Sequence, residues 1–257
     1  MVMDNQSWWS LFAAAFSGAG SFAIIELIYK ELKDWRGSRR EHARLVEISL
    51  EPLLRAADEL AGKLRSLAEQ DFLPIRAKQA FSMDDTEIAS IVYLFVQFWA
   101  EVEIVRFNGL SVEIARSDKG KQTQAFFVCL QSRKLRLIDR ISQRALGEAA
   151  LISGRSMNFV EFVRSAGVDP LTARWLAPIL KILANLNEPE TRQRMLQYFV
   201  VIHALIDTLD KDHAITRNRS GTPNKLNKNS RKSLNYRVFG VYLKFVEGRS
   251  KYIGPLV

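Results

Sequence analysis

The sequence predicts an all-α protein: an N-terminal single transmembrane helix, a cytoplasmic multi-helix bundle and a basic, partly disordered C-terminal tail. Three observations predict it. Eighteen residues, Trp8 to Ile25, carry no charge. Apolar residues after residue 50 recur at helical spacing. The whole net charge of +9 resides in residues 211–257, which hold eleven Lys or Arg and two acids. The other 210 residues balance 26 basic against 26 acidic side chains, so the folded body is neutral. The expected regions are 1–36 (anchor with juxtamembrane helix), 37–210 (helical domain) and 211–257 (basic tail).

Composition excludes several classes. With 47% apolar and 25% charged residues, a largely disordered or multi-pass chain is excluded. A single cysteine, Cys129, excludes a disulfide framework and a multi-cysteine zinc site, and inside a helical apolar face it reads as a buried, inert thiol.

Trp8 to Tyr29 spans roughly 33 Å as a helix, enough for a hydrocarbon core of about 30 Å. Trp8, Trp9, Phe12, Phe16, Phe22, Ile24, Ile25 and Tyr29 form the expected anchor, its aromatic ends suited to the two interfaces. Asp4 is the only charged side chain before it, whereas Lys30, Lys33, Arg36, Arg39, Arg40 and Arg44 follow. The positive-inside rule then puts the N-terminus outside and the bulk of the chain in the cytoplasm, on a single-pass plasma-membrane anchor. A signal peptide wants a basic leading region, which is missing here. The competing reading is a buried or interfacial helix. Ala15, Gly18, Ala19 and Ala23 place small residues on adjacent ridges, a geometry that suits helix self-association and a homo-oligomer, although Ala-rich helices produce it by chance.

The helical domain follows in order. Pro52 starts a helix that carries Leu53, Leu54, Ala57, Leu60, Ala61, Leu64 and Leu67, and Pro74 ends that region. Ser82, Asp84 and Asp85 offer N-caps to the next helix, whose uncharged run Ile88–Ala100 is too short for a span and suits a central core helix. Asn108-Gly109 stops it, and residues 109–120 read as an extended excursion closed by a turn at Asp118-Lys119-Gly120. A long amphipathic helix is expected over 121–150, with Phe127, Leu130, Lys134, Leu137, Ile141 and Ala145 on one face and Arg133, Arg136, Arg140 and Arg144 on others. That arginine face either binds phosphate or forms ordinary solvated salt bridges. A short helix covers 158–166, and Asp169-Pro170 caps the next, kinked at Pro178. Pro189 opens the last helix, which ends near Asp210. Residues 216–233 hold almost no apolar side chain and read as disordered. Residues 234–246 are rich in aromatic and β-branched residues and either dock on the bundle, lie on anionic lipid or hold nucleic acid.

Two candidate sites emerge. His203, Asp207 and Asp210 share one face at about 100° per residue, a set able to hold a divalent metal or act as base and acid. The apolar run around His203 favours a core histidine instead. The tail offers Arg217, Arg219, Lys225, Lys228, Arg231, Lys232 and Arg237 to an anion. No phosphate-binding loop, dinucleotide fingerprint, nucleophile elbow or HExxH occurs, so no enzyme class and no cofactor is indicated. The expected function is a membrane-tethered, non-enzymatic interaction protein, its tail contacting membrane lipid or a protein partner. Alternatives are an oligomerising membrane-perturbing effector, a metal-dependent enzyme and a nucleic-acid binder acting through the tail.

Overall fold

Helix formation along this chain follows its caps and its apolar spacing, and the computed structural model describes residues 50–109 and 117–255. The anchor residues Trp8 to Tyr29, the small-residue ridge Ala15 to Ala23 and the basic flank after Tyr29 lie outside the described residues. The described part belongs to one compact unit, Val46–Val257, and is mostly helical.

Helix α1 covers residues 50–69, with Leu50 and Glu51 already helical, so Pro52 is not its first residue. Its predicted apolar stripe, Leu53 through Leu67, is fully buried. Asp71 and Phe72 then take left-handed backbone conformations (φ 50° and 59°) that turn the chain into the one-turn helix α2, Leu73–Arg76. Pro74 sits in the first turn of α2, where it costs no hydrogen bond.

Of the three cap candidates before the next helix, Asp85 does the work, its carboxylate accepting from the Glu87 and Ile88 amides. Helix α3, Thr86–Ile104, is the centre of the fold and continues into one wide turn, Val105–Gly109. It is long and apolar enough to cross a membrane by length and composition, and most of it is buried inside the protein. Ile88, Ile91, Val92, Phe95, Phe98 and Trp99 bury one broad face, Ala89, Val96, Ala100 and Glu101 are buried on others, and no residue from Glu87 to Ile104 is exposed. A helix surrounded in this way reads as a core helix of the bundle.

The expected 121–150 helix is two helices. Helix α4, Asp118–Leu130, starts earlier, because Ser117 caps it by accepting from the Gly120 amide; Asp118-Lys119-Gly120 is its first turn and not a loop. The chain leaves the helix at residues 131–139, and Asp139 caps a new one, α5, Arg140–Ala149, by accepting from the Ile141 and Ser142 amides. The break moves Ile141 off the predicted apolar face to 71% exposure and buries Leu135 in its place. A small antiparallel hairpin follows: β1, Leu151–Ile152, and β2, Arg155–Ser156. Its turn needs left-handed backbone at Ser153 and Gly154 (φ 51° and 80°), which Gly154 adopts without strain.

Helix α6, Phe159–Val168, opens on a complete capping box between Asn158 and Glu161. Asp169 caps α7, Pro170–Ala184, which runs on through Pro178. Helix α8, Pro189–Leu209, is buried from Tyr198 to Ile206. The Trp99 indole N–H donates to the Tyr198 hydroxyl at 2.9 Å, joining α3 and α8 deep in the core.

Residues 211–255 correct the expectation of a partly disordered tail. They fold back on the helices through the turn Pro223–Lys225, helix α9 (Lys228–Ser233), a wide helical turn Leu234–Phe239 and helix α10 (Ser250–Ile253). Leu226, Leu234, Val238, Phe239, Leu243, Val246, Tyr252 and Ile253 all join the core. The polar stretch before them is held by hydrogen bonds. Arg231 donates to the carbonyls of Leu226, Pro223 and Pro255, and Arg219 makes a two-point ion pair with Asp58 of α1 at 2.8 and 3.0 Å.

Candidate anion-binding cleft

Helix α8 turns a polar face outward at its N-terminal end, where Glu190, Gln193, Arg194 and Gln197 recur at helical spacing. Two of these glutamines fasten the C-terminal region. Gln193 donates to the Lys225 carbonyl and accepts from the Asn227 amide, both at 2.9 Å, and Gln197 donates to the Ser230 hydroxyl at 2.9 Å. Asn227 in turn caps α9 by accepting from the Ser230 amide. The register so fixed aligns Asn229, Lys232, Ser233, Tyr236 and Arg237 opposite α8. The turn after α4 closes one end with Arg133 and Lys134.

The result is a cleft of about 890 Å³. Five cations line it, Arg133, Lys134, Arg194, Lys232 and Arg237, against one acid, Glu190. All five are exposed. Every other lining residue is polar except Tyr236, which is 65% exposed. Among the described residues none of the five cations makes an ion pair, in contrast to Arg55, Arg76, Arg106, Arg155 and Arg219, which all do. Unpaired like charges around a concavity repel one another and raise the local concentration of anions.

The seven tail cations expected to bind an anion therefore divide. Lys232 and Arg237 line the cleft. Arg219 and Arg231 serve the fold through Asp58 and three backbone carbonyls, and Lys225 donates to the Glu69 carbonyl at 3.3 Å. Arg217 and Lys228 point to solvent. Arg194 and Asn229 escaped the sequence reading, Tyr236 was read only within the aromatic stretch 234–246, and Lys134 was expected on an apolar face. The recurrence of polar residues at 190, 193, 194 and 197 was the available signal.

The His203, Asp207 and Asp210 set is not assembled as a metal site, a correction to the expectation. Asp210 turns away: its carboxylate accepts from the amides of Ala214, Ile215 and Thr216 and from the Thr216 hydroxyl, at 2.7–3.0 Å. Those donors outweigh the effect of burial and hold its pKa below the usual carboxylate range. Asp207 accepts from Lys251 at 2.6 Å and the Tyr252 hydroxyl at 2.9 Å. His203 is buried between Phe199 and Tyr252, with its Nε2 2.9 Å from the Arg219 carbonyl oxygen, which makes Nε2 the protonated nitrogen. Burial pushes its pKa down. Among the described residues no group of three or more His, Cys, Asp or Glu side chains is placed to hold a metal ion. Cys129 is buried, which pushes its thiol up to about 12 and leaves no thiolate at neutral pH.

The arginine face of 133–144 also divides: Arg133 joins the cleft, while Arg144 pairs with Glu148 and approaches the buried Glu103. Glu101 and Glu103, two apart in sequence, are both buried, one accepting from Ser156 and the other from Arg106. Compared with protein-family models, with curated proteins and with solved structures, the chain shows no match.

Proposed function

We propose that the chain is a membrane-tethered, non-enzymatic helical interaction protein that captures an anionic partner in the cleft between α8 and residues 227–237. The observation that carries the reading is the set of five cations without ion-pair partners among the described residues, gathered around one concave surface. Charges needed only for solubility spread over a surface, and charges needed for the fold acquire partners, as Arg219 does. The tether rests on the uncharged run Trp8–Ile25, its aromatic ends and the basic flank after Tyr29, which together favour a single pass with the helical domain on the cytoplasmic side of the plasma membrane. The metal-enzyme alternative loses its support with the turning away of Asp210, and the membrane-perturbing alternative retains only the small-residue ridge.

Binding of inorganic polyphosphate to the detergent-solubilised full chain, followed by calorimetry, tests the cleft. Reversing Arg194, Lys232 and Arg237 to Glu is expected to abolish binding. Reversing Arg217 and Lys228, which lie outside the cleft, is expected to leave most of it. Equal losses in both variants would mean diffuse attraction to a basic surface, and the reading would fail. Carbonate extraction of the full chain beside one lacking residues 1–29 tests the tether: a full chain released by carbonate alone would refute it.

A further inference from the structure

We infer that the cleft is a binding site for single-stranded nucleic acid, an inference that rests on the anionic-partner reading above and names the partner. Five cations drawn from three separate segments track a concavity of about 890 Å³, more space and more charge than a lone carboxylate or phosphate uses. A phosphodiester chain, with one charge per nucleotide, matches such a spread of positive charge. Tyr236 supplies the second requirement. The residue is 65% exposed on the same wall as Lys232 and Arg237, an arrangement that lets a base stack on its ring while the flanking cations hold the backbone. Asn229, exposed and with no side-chain hydrogen bond among the described residues, offers an amide to a base edge or sugar.

The lining also decides between polyanions. An anionic headgroup is drawn to a basic cluster by charge, and insertion into the acyl boundary adds apolar side chains to that attraction. The cleft lining has the charge but no aliphatic side chain: Tyr236 is its one apolar residue, and Val241 and Ile141 are not part of it. A duplex hides its base faces in the stack and would leave Tyr236 unused. An unpaired strand uses the cations and the ring together.

The test uses the full chain in detergent, a short fluorescein-labelled oligouridylate read by anisotropy, and inorganic polyphosphate as competitor. Wild type should bind the oligonucleotide with affinity that falls with salt, by a logarithmic slope of about 0.7 per phosphate contact. Tyr236→Ala should weaken the oligonucleotide at least about fivefold through lost stacking and leave polyphosphate binding unchanged. Tyr236→Phe should retain both. If Tyr236→Ala has no effect on the oligonucleotide, or if phosphatidylserine vesicles or a duplex of equal length bind more tightly, the nucleic-acid inference is overturned while polyphosphate binding leaves the anion cleft standing. If neither polyphosphate nor oligonucleotide binds, both readings fall.

Discussion

His203 shows how one side chain is assigned by its neighbours. The sequence offered a histidine with two carboxylates on one helical face. Packing gave its ring to Phe199 and Tyr252 and its Nε2 to a backbone carbonyl. Burial is the largest influence on its proton affinity and lowers it; Asp207 and the hydrogen bond to the Arg219 carbonyl oppose this, and Lys251 and His213 add to it. The unfolded chain therefore takes up a proton near 6.5 that the folded chain resists. Its contribution to stability is complete above that pH and declines as pH falls below it. We expect the melting temperature to drop between about pH 7 and about pH 5, and His203→Gln to flatten that slope. An unchanged slope in calorimetry would contradict the assignment. Asp210 carries a different load. Its folded pKa lies below the ordinary value of 3.8, so its contribution is present above that value and is lost as pH falls through the folded one. Asp210→Ala strands the amides of Ala214, Ile215 and Thr216 and should cost about 2 kcal/mol or more in urea denaturation. Both residues were visible in the sequence as chemistry-bearing groups. Their partners were not, because residues 214–219 reach them only through a reversal of the chain.

Among the elements, α3 and α5 approach closely at Gly147. A Cβ built on Gly147 would meet the Trp99 carbonyl oxygen at 2.8 Å, backbone that has nowhere to go. Gly147→Ala should destabilise by about 1–3 kcal/mol through overpacking. Gly167 in α6 has nothing within 4 Å, and Gly167→Ala should be neutral or stabilise by up to about 1 kcal/mol. Thermal melts of the two variants should shift in opposite directions or differ by several degrees; equal shifts would refute the close approach. At this scale the sequence succeeded wherever a cap stood beside an apolar stripe, as at Asp85 and Asp169. It failed at 121–150, where helical spacing runs across a break and the signal lay in Asp139 alone. The hairpin of two-residue strands is too short to show an alternating period; Ser153-Gly154 was its only trace.

For the whole molecule, the C-terminal region is structural before it is anything else. Removing residues 211–257 would uncover the cavity filled by eight apolar side chains from Leu226 to Ile253. At roughly 1.5–3 kcal/mol for each buried side chain, that gross loss is about 12–24 kcal/mol, of the same order as or larger than the roughly 5–15 kcal/mol that keeps a domain folded. We expect a chain ending at residue 210 to lose cooperative unfolding and aggregate, rather than to survive as a folded domain. A sharp, near-native thermal transition in that truncation would show the C-terminal region to be dispensable. Binding is for this reason better probed by charge reversals within the cleft than by truncation.

The sequence by itself determined the helical class, the starts of α3, α6, α7 and α8, the buried stripe of α1, the central place of α3 and the concentration of positive charge after residue 210. These properties follow from local spacing, capping and composition, which act between residues close in the chain. Only the tertiary structure decided which charges are free. Arg219 and Arg231 look no different in sequence from Lys232 and Arg237, yet the first two are spent on a carboxylate and on carbonyls while the others face the cleft. The cleft joins Arg133, Arg194 and Arg237 from segments far apart in sequence. Hydrogen bonds from Gln193 and Gln197 fix that meeting, and no local pattern encodes a partner that arrives by folding.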